Sequence, residues 1–157
     1  MKNNLHNIYN NLVKLTRNKF LFEKFTSQDS FSDRLIVFLF HFAFFLKIYK
    51  SNNSKKELQK IYDFIFKQIE LGVREIGYGD ASINKKMKDY LNIFYSIIDS
   101  VDNWEKMRNS EKSDIFTKYL DVHSESDFLV DYFEKYRLFL TNNTLNYFTK
   151  DVISFNF

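Results

Sequence analysis

The sequence contains no cysteine and no proline, and only three glycines in 157 residues. Without cysteine the chain can form neither a disulfide nor a thiolate metal site, and this composition suits a reducing compartment. The common catalytic signatures are also missing, since there is no H-E-x-x-H pair, no G-x-S-x-G elbow and no Walker loop. His6, His41 and His123 lie far apart in the chain. The sequence therefore predicts no metal site, no cofactor and no standard hydrolase.

All three glycines fall in one short stretch, residues 71–80, which we call the corner. Glycine enters the positive-φ region without steric cost, so Gly77 and Gly79 can make a sharp reversal there. We expect one helix to end at this reversal and the next to begin with Asp80 or Ser82 as its N-cap. Two amphipathic helices should thus meet at the corner.

Apolar residues on both sides of the corner recur at helical spacing. Ser54 and Glu57 form a capping box at the start of the upstream helix. The upstream face comprises Leu58, Ile61, Tyr62, Ile65, Phe66, Ile69 and Val73, and the downstream face Met87, Tyr90, Leu91, Phe94, Tyr95, Ile98 and Val101.

The same periodicity predicts further helices at both ends of the chain. Leu5, Ile8, Leu12 and Leu15 mark the first, and a short one covers roughly residues 111–120. Ser124 with Asp127 opens another, and the tail from residue 145 should dock on the body. With no alternating strand, repeat or linker, we expect an all-α fold, a compact single domain over residues 1–157 with about six to eight helices.

The bundle should form around its most apolar stretch, residues 35–46. A spanning helix needs ~20 apolar residues, and this run is shorter and flanked by Arg34 and Lys47, so it should not cross a bilayer. It is apolar on nearly every side, which predicts a central helix wrapped by others or one with an exposed apolar groove. His41 within it should be a hydrogen-bonded core or boundary histidine and not a metal ligand.

The formal charge of +3 is unevenly distributed. Residues 1–60 carry 11 basic and 4 acidic residues, or +7, whereas residues 91–157 carry 7 and 11, or −4. A basic first third can be attracted to phosphate-rich partners such as ribosomal RNA or anionic lipid, or can simply be a solvated surface.

Residues 73–80 read Val-Arg-Glu-Ile-Gly-Tyr-Gly-Asp, and a basic cluster at 85–88 and Phe94-Tyr95 follow. This order resembles the signature of the ubiquinol-cytochrome c chaperone family, whose usual pattern is Leu-Arg-Glu-Met-Gly-Val-Gly-Asp, a basic cluster with Met, then Phe-Tyr-Gly-Arg. The resemblance spans roughly residues 9–140, with upstream matches at Arg34, Phe40-His41, Asp63 and Phe66. Ser96 and Ile97 replace the final Gly-Arg, so no role of that arginine is carried over.

The resemblance implies a non-catalytic assembly factor of the respiratory chain. Such a chaperone binds newly synthesised cytochrome b and supports assembly of complex III, with possible contacts to the ribosome tunnel exit, a small partner chaperone and the membrane surface, and none to DNA. The implied location is the cytoplasm, peripheral to the inner membrane, in an alphaproteobacterium, or the mitochondrial matrix and inner membrane in a eukaryote.

The corner supplies most of the candidate site. We hypothesise that it sets the angle between two helices which, with the 35–46 helix, frame a client groove. The candidates for binding the client or partner, or for locking this frame, are Arg74, Glu75, Gly77, Tyr78, Gly79, Asp80, Lys85, Lys86, Phe94 and Tyr95. Two alternatives stay open: an RNA-, ribosome- or membrane-surface-binding module without cytochrome b specificity, and a small enzyme using Glu75 and Asp80 in a closed pocket.

Overall fold

Helices make up the regular secondary structure of the chain. The computed structural model describes residues 2–18, 21, 31–120, 126–151, 153–155 and 157, and no β-strand occurs among them. The α-helices in these ranges are α1 (Lys2–Thr16), α2 (Phe31–Tyr49), α3 (Lys55–Glu75), α4 (Asp80–Val101), α5 (Asn109–Tyr119) and α6 (Asp127–Asn142), with 3₁₀ turns at Trp104–Lys106 and Leu145–Thr149. The prediction of an all-α bundle is confirmed.

The middle of α2 has no solvent-facing side. Residues 37–45 are each at most 5% exposed, so the helix is covered around its whole circumference by α1, α4 and α6 together with the rest of the core. Phe42 stacks on Phe94 of α4 with ring centroids 5.3 Å apart, and Phe44 stacks on Phe133 of α6 at 5.4 Å. Offset or tilted aromatic pairs of this kind add to the energy of area burial. Across the described ranges, no helix has both the length and the apolar character needed to span a bilayer.

His41 is the one imidazole inside this apolar helix, and both of its ring nitrogens have partners. Nδ1 lies 2.9 Å from the carbonyl oxygen of Val37, which can only accept, so Nδ1 carries the proton. Nε2 then accepts a hydrogen bond from the Tyr132 hydroxyl at 2.7 Å. Burial lowers the pKa of His41 from 6.5 to about 3, because the charged form would lose its hydration. The predicted hydrogen-bonded core histidine is confirmed.

The lowered pKa of His41 predicts a pH-dependent stability. In the unfolded chain this histidine titrates near 6.5, so the stability carried by its neutral form is complete above that pH and is lost as the pH falls toward about 3. We expect the free energy of unfolding, measured by urea denaturation, to decline by up to ~1.4 kcal/mol per pH unit through this group. His41→Gln should flatten the decline between pH 6.5 and 4.5.

His6→Gln provides the matched control, because His6 is exposed on α1. A flatter profile in His41→Gln than in His6→Gln would assign the pH dependence to the buried ring. Equal slopes in the wild type and His41→Gln would contradict the assignment of a neutral folded-state His41.

The C-terminal segment is fastened to α1 by side chains that reach its backbone. Asn7 donates to the Thr149 carbonyl at 2.8 Å, and the buried Asn11 donates to the Phe148 carbonyl at 2.9 Å. One turn further along α1, Lys14 donates to the Ile153 carbonyl at 2.6 Å. These bonds satisfy backbone acceptors that a turn cannot pair internally. The predicted docking of the tail is therefore observed.

Some helix starts differ from the sequence predictions. Ser126 occupies the N-cap position of α6, which begins at Asp127, and the predicted start at Ser124 lies outside the described residues. At α3, Ser54 accepts a hydrogen bond from the Glu57 amide at 3.0 Å, as predicted. His123 also lies outside the described part of the chain, as do residues 152 and 156 of the tail.

Candidate functional site

The upstream helix ends at the corner because Gly77 takes a conformation that other residues avoid. Helix α3 stops at Glu75, Ile76 is its C-cap, and Gly77 follows with φ 101°. Its amide donates to the Arg74 carbonyl at 3.0 Å, which satisfies an acceptor left open at the helix end. No other residue in the described ranges has positive φ. The predicted reversal therefore depends on Gly77.

Gly79 does not share this role. Its φ of −71° and ψ of 163° are extended values, and it is the N-cap of α4 without a side-chain bond. The predicted N-caps Asp80 and Ser82 are therefore wrong, because α4 already begins at Asp80. The carboxylate of Asp80 is engaged elsewhere, and the Gly79 carbonyl accepts the Ile83 amide at 2.9 Å.

Arg74 joins the two helices across the corner. Its Nη1 lies 2.9 Å from Oδ1 of Asp80, and its Nη2 lies 3.7 Å from Oε1 of Glu70. A cation in the last turn of α3 and an anion in the first turn of α4 each complement the local helix dipole. The side chains are 43% and 90% exposed, so solvent screening keeps the contribution small, on the order of 1 kcal/mol or less.

The three other charged candidates of the corner are placed differently. Lys86 lies over the Tyr78 ring, 4.5 Å from its centroid, instead of pairing with a carboxylate. Glu75 and Lys85 are exposed, and neither forms an ion pair with another described side chain. The corner thus brings together Arg74, Asp80, Tyr78 and Lys86.

Phe94 and Tyr95 point in different directions. Neighbouring residues on a helix are about 100° apart, so only one of the two can face the core. Phe94 is fully buried between Phe42 and Phe66, whereas Tyr95 is 53% exposed. The prediction that Tyr95 belongs to the apolar face is wrong, since Ile97 takes that place.

A groove does form between the three helices that the sequence singled out, but at the far end from the corner. Because α3 and α4 are antiparallel, the start of α3 lies beside the end of α4, and α2 closes the third side. The groove has a volume of about 560 Å³. Its lining residues are Ala43, Leu46, Lys47, Lys50, Lys55, Leu58, Gln59, Tyr62, Tyr95, Ile98 and Asp102.

The groove combines an apolar floor with hydroxyls and a basic rim. Tyr62 and Tyr95 share a hydrogen bond of 2.9 Å between their hydroxyls, and desolvation together with this bond raises the pKa of Tyr62. Lys47 donates to the Asp102 carbonyl at 2.8 Å and lies 2.9 Å from Glu105. Lys50 lies 3.5 Å from the Asp102 carboxylate. This chemistry suits binding of an apolar segment.

Of the ten candidate residues, the groove includes only Tyr95. Sequence reasoning missed the rim lysines, Lys47, Lys50 and Lys55, as site residues. The signal that could have found them is the density of lysine between residues 47 and 60, at the junction of two helices. The corner residues act on the groove only through the helices they join.

The arrangement around Glu75 and Asp80 offers no enclosed reaction site. Both side chains are exposed at the corner, and Asp80 is paired with Arg74. In the part of the chain that the structure covers, no group of three or more potential ligand side chains is placed to hold a metal ion.

The two glycines on either side of the helix end provide a direct test of the corner. An added Cβ meets nothing within 4 Å at Gly72 or at Gly77, so the two positions differ in backbone conformation and not in available space. Gly77→Ala should lower the free energy of unfolding by roughly 1–2 kcal/mol, because alanine is strained at positive φ. Gly72→Ala, inside α3, should raise it by about 0.5–1 kcal/mol. Chemical denaturation measures both, and changes of the same sign would contradict this account of the corner.

The contact between Arg74 and Asp80 is tested by a double-mutant cycle. Arg74→Ala, Asp80→Asn and the double variant should give a coupling free energy of about 0.2–1 kcal/mol at low salt. The coupling should fall in 1 M NaCl, where the Debye length is only ~3 Å. Zero coupling at low salt would mean that the pair does not hold the corner.

Comparison with known proteins identifies one family. The family model described as Ubiquinol-cytochrome C chaperone matches residues 23–114. The match falls within the 9–140 over which the sequence motifs were aligned. Neither a curated protein nor a solved structure matches the chain.

Proposed function

The chain belongs to the ubiquinol-cytochrome c chaperone family, and on that premise we propose that it is a non-catalytic assembly factor that binds newly synthesised cytochrome b and supports assembly of complex III. One observation carries the proposal. The matched residues 23–114 contain all of α2, α3 and α4, the three helices that enclose the groove. A likeness that covers the whole groove supports a shared binding role for it.

The groove has the size and chemistry to cover part of an apolar helix. A transmembrane segment exposes apolar side chains to water before it inserts, and a helix laid in an apolar groove is one of the recurrent ways to cover them. Leu46, Leu58 and Ile98 offer apolar area on three different helices, and the exposed Tyr95 adds a large ring at the edge. The volume of about 560 Å³ suits a few side chains of one segment.

The basic rim gives the groove a second kind of contact. Lys55 forms no ion pair with another described side chain, and Lys56 and Lys60 are exposed on the following turns of α3. Cations in this position attract carboxylates at the end of a client segment, or phosphates of ribosomal RNA near a tunnel exit. Contact with the ribosome and with a small partner chaperone forms part of the proposal on this ground and on that of family membership.

The corner residues have an indirect role in this proposal. Gly77, Gly79, Arg74 and Asp80 set how α3 and α4 meet, and Phe94 packs α4 on α2. The groove at the other end of the same two helices then keeps its width. Contacts of the corner with a partner or with the membrane surface are additional roles for its exposed residues.

Capture of the client tests the proposal and the groove together. A tagged chain, recovered after mild crosslinking in respiring cells, should be enriched in cytochrome b by mass spectrometry. Tyr95→Asp should reduce that enrichment several-fold, because it places a carboxylate in the apolar groove at an already exposed position. Leu138→Asp is the matched control, since Leu138 is 46% exposed on α6, outside the groove. Both variants should keep the wild-type melting temperature to within a few degrees.

Two results would contradict the proposal. Equal losses with Tyr95→Asp and Leu138→Asp would remove the groove as the binding site. Recovery of ribosomes or lipid without cytochrome b would favour the alternative, a helical module that binds RNA or a membrane surface without this client.

A further inference from the structure

The end of the bundle opposite the groove carries a second, smaller cavity, which we call the arginine cavity. It lies between the last turns of α1, the first turns of α2 and the last turns of α3. Its volume is about 180 Å³, below the ~300 Å³ at which ordinary ligand pockets begin. It is therefore large enough for only part of a ligand.

The walls of the arginine cavity combine apolar side chains with two guanidinium groups. Val13, Leu35 and Ile69 come from three helices and supply apolar surface. Arg17, in the turn after α1, and Arg34, in α2, are both exposed and line the same cavity. Guanidinium groups bind phosphate oxygens in a two-pronged geometry, so an anionic head on an apolar tail complements this surface.

The corner belongs to the same end of the molecule. The arginine cavity includes Gly72, four residues before the exposed Ile76, which is 48% accessible; Tyr78 is 40% accessible. Added Cβ atoms at Gly77 and Gly79 meet nothing within 4 Å, so there is open space beside both glycines of this tip. Isoleucine and tyrosine on an exposed tip, with a lysine over the tyrosine ring, are side chains suited to the boundary between headgroups and acyl chains.

The acidic residues at this end also affect how it would bind an anion. Asp80 and Glu70 are both engaged by Arg74. Burial raises the pKa of Tyr9, which lines the arginine cavity; Arg17 opposes this shift, and the exposed Glu75 adds to it. Glu75 is therefore one carboxylate whose charge opposes an anion here.

We propose that this end of the bundle docks on an anionic bilayer, with Arg17 and Arg34 receiving a lipid phosphate while Ile76 and Tyr78 enter the headgroup region. The proposal deepens the peripheral membrane contact of the proposed function and does not involve the client. Its partner is a lipid in a bilayer, recognised by a phosphate joined to an apolar tail.

Vesicle flotation tests the proposal with the full chain alone. Vesicles of phosphatidylcholine containing phosphatidylglycerol should bind the wild type, and pure phosphatidylcholine vesicles should bind it weakly. Arg17→Gln with Arg34→Gln should reduce binding about tenfold or more, since each basic residue near such a surface contributes substantially. Lys56→Gln with Lys60→Gln, exposed at the other end of α3, removes the same charge and should change binding little.

The two exposed apolar residues of the tip are tested in the same way, with a control substitution elsewhere on the surface. Ile76→Ser with Tyr78→Ser should weaken vesicle binding several-fold, whereas Leu138→Ser should not. Glu75→Gln should strengthen it. Cytochrome b capture by the Arg17→Gln and Arg34→Gln variant, measured in detergent, should stay at the wild-type level, so failure of membrane docking is distinguishable from failure of the chaperone proposal.

Three outcomes would overturn the proposal. The first is an equal loss of vesicle binding in the double arginine variant and the double lysine variant, which would indicate general electrostatic attraction. The second is binding of inorganic phosphate alone, lost with the arginines, while vesicle binding is unaffected; the site would then take a free phosphate. The third is binding of RNA without binding of anionic vesicles.

Discussion

A helix that is buried around its full circumference needs partners on every side, and α2 imposes this demand on the whole chain. Its nine buried residues, 37–45, are covered by elements from both ends of the sequence. Replacing one such phenylalanine by alanine typically costs about 3–5 kcal/mol, a large part of a domain's total stability. The same burial forces His41 to stay neutral and to find two hydrogen-bond partners, which Val37 and Tyr132 supply.

The helical hairpin formed by α3, the corner and α4 connects the core to two exposed ends of the bundle. One face of α4 is held against α2, and α3 packs on α4 and α1. The junction of the hairpin depends on one residue with positive φ and one exposed ion pair. Strong packing thus fixes the middle of the hairpin, while its two ends are exposed. One end opens into the groove with its basic rim, and the other carries the arginine cavity and the exposed tip at Ile76 and Tyr78.

The sequence predicted the helices well because burial imposes the 3.6-residue period directly on the chain. Positions such as Ile61, Ile65 and Ile69 could be assigned from spacing, and Gly77 from its conformational freedom. Gly79 could not be distinguished from Gly77, because the residue type alone does not show which of two glycines takes positive φ. Because Phe94 and Tyr95 are adjacent and both aromatic, the sequence could not show which of the two faces the core.

The sequence indicated which three helices form the groove, but it could not show where along those helices the groove lies. A groove depends on where packed helices separate, and separation is a property of tertiary packing that no local pattern records. The lysines of its rim come from the end of α2 and the start of α3, which look like ordinary solvated helix ends in the sequence. The antiparallel hairpin explains why signature and groove are apart, because residues close to the turn are farthest from the open end.

The length of α3 also makes the hairpin a spacer. About 18 residues separate Leu58 in the groove from Ile76 at the tip, and a rise of 1.5 Å per residue places them on the order of 27 Å apart. That distance is nearly the thickness of a bilayer's hydrocarbon core. With the tip on a membrane, a segment lying in the groove would be held well above the lipid, in water and facing away from it. Insertion would then require either release from the groove or a tilt of the whole bundle toward the surface.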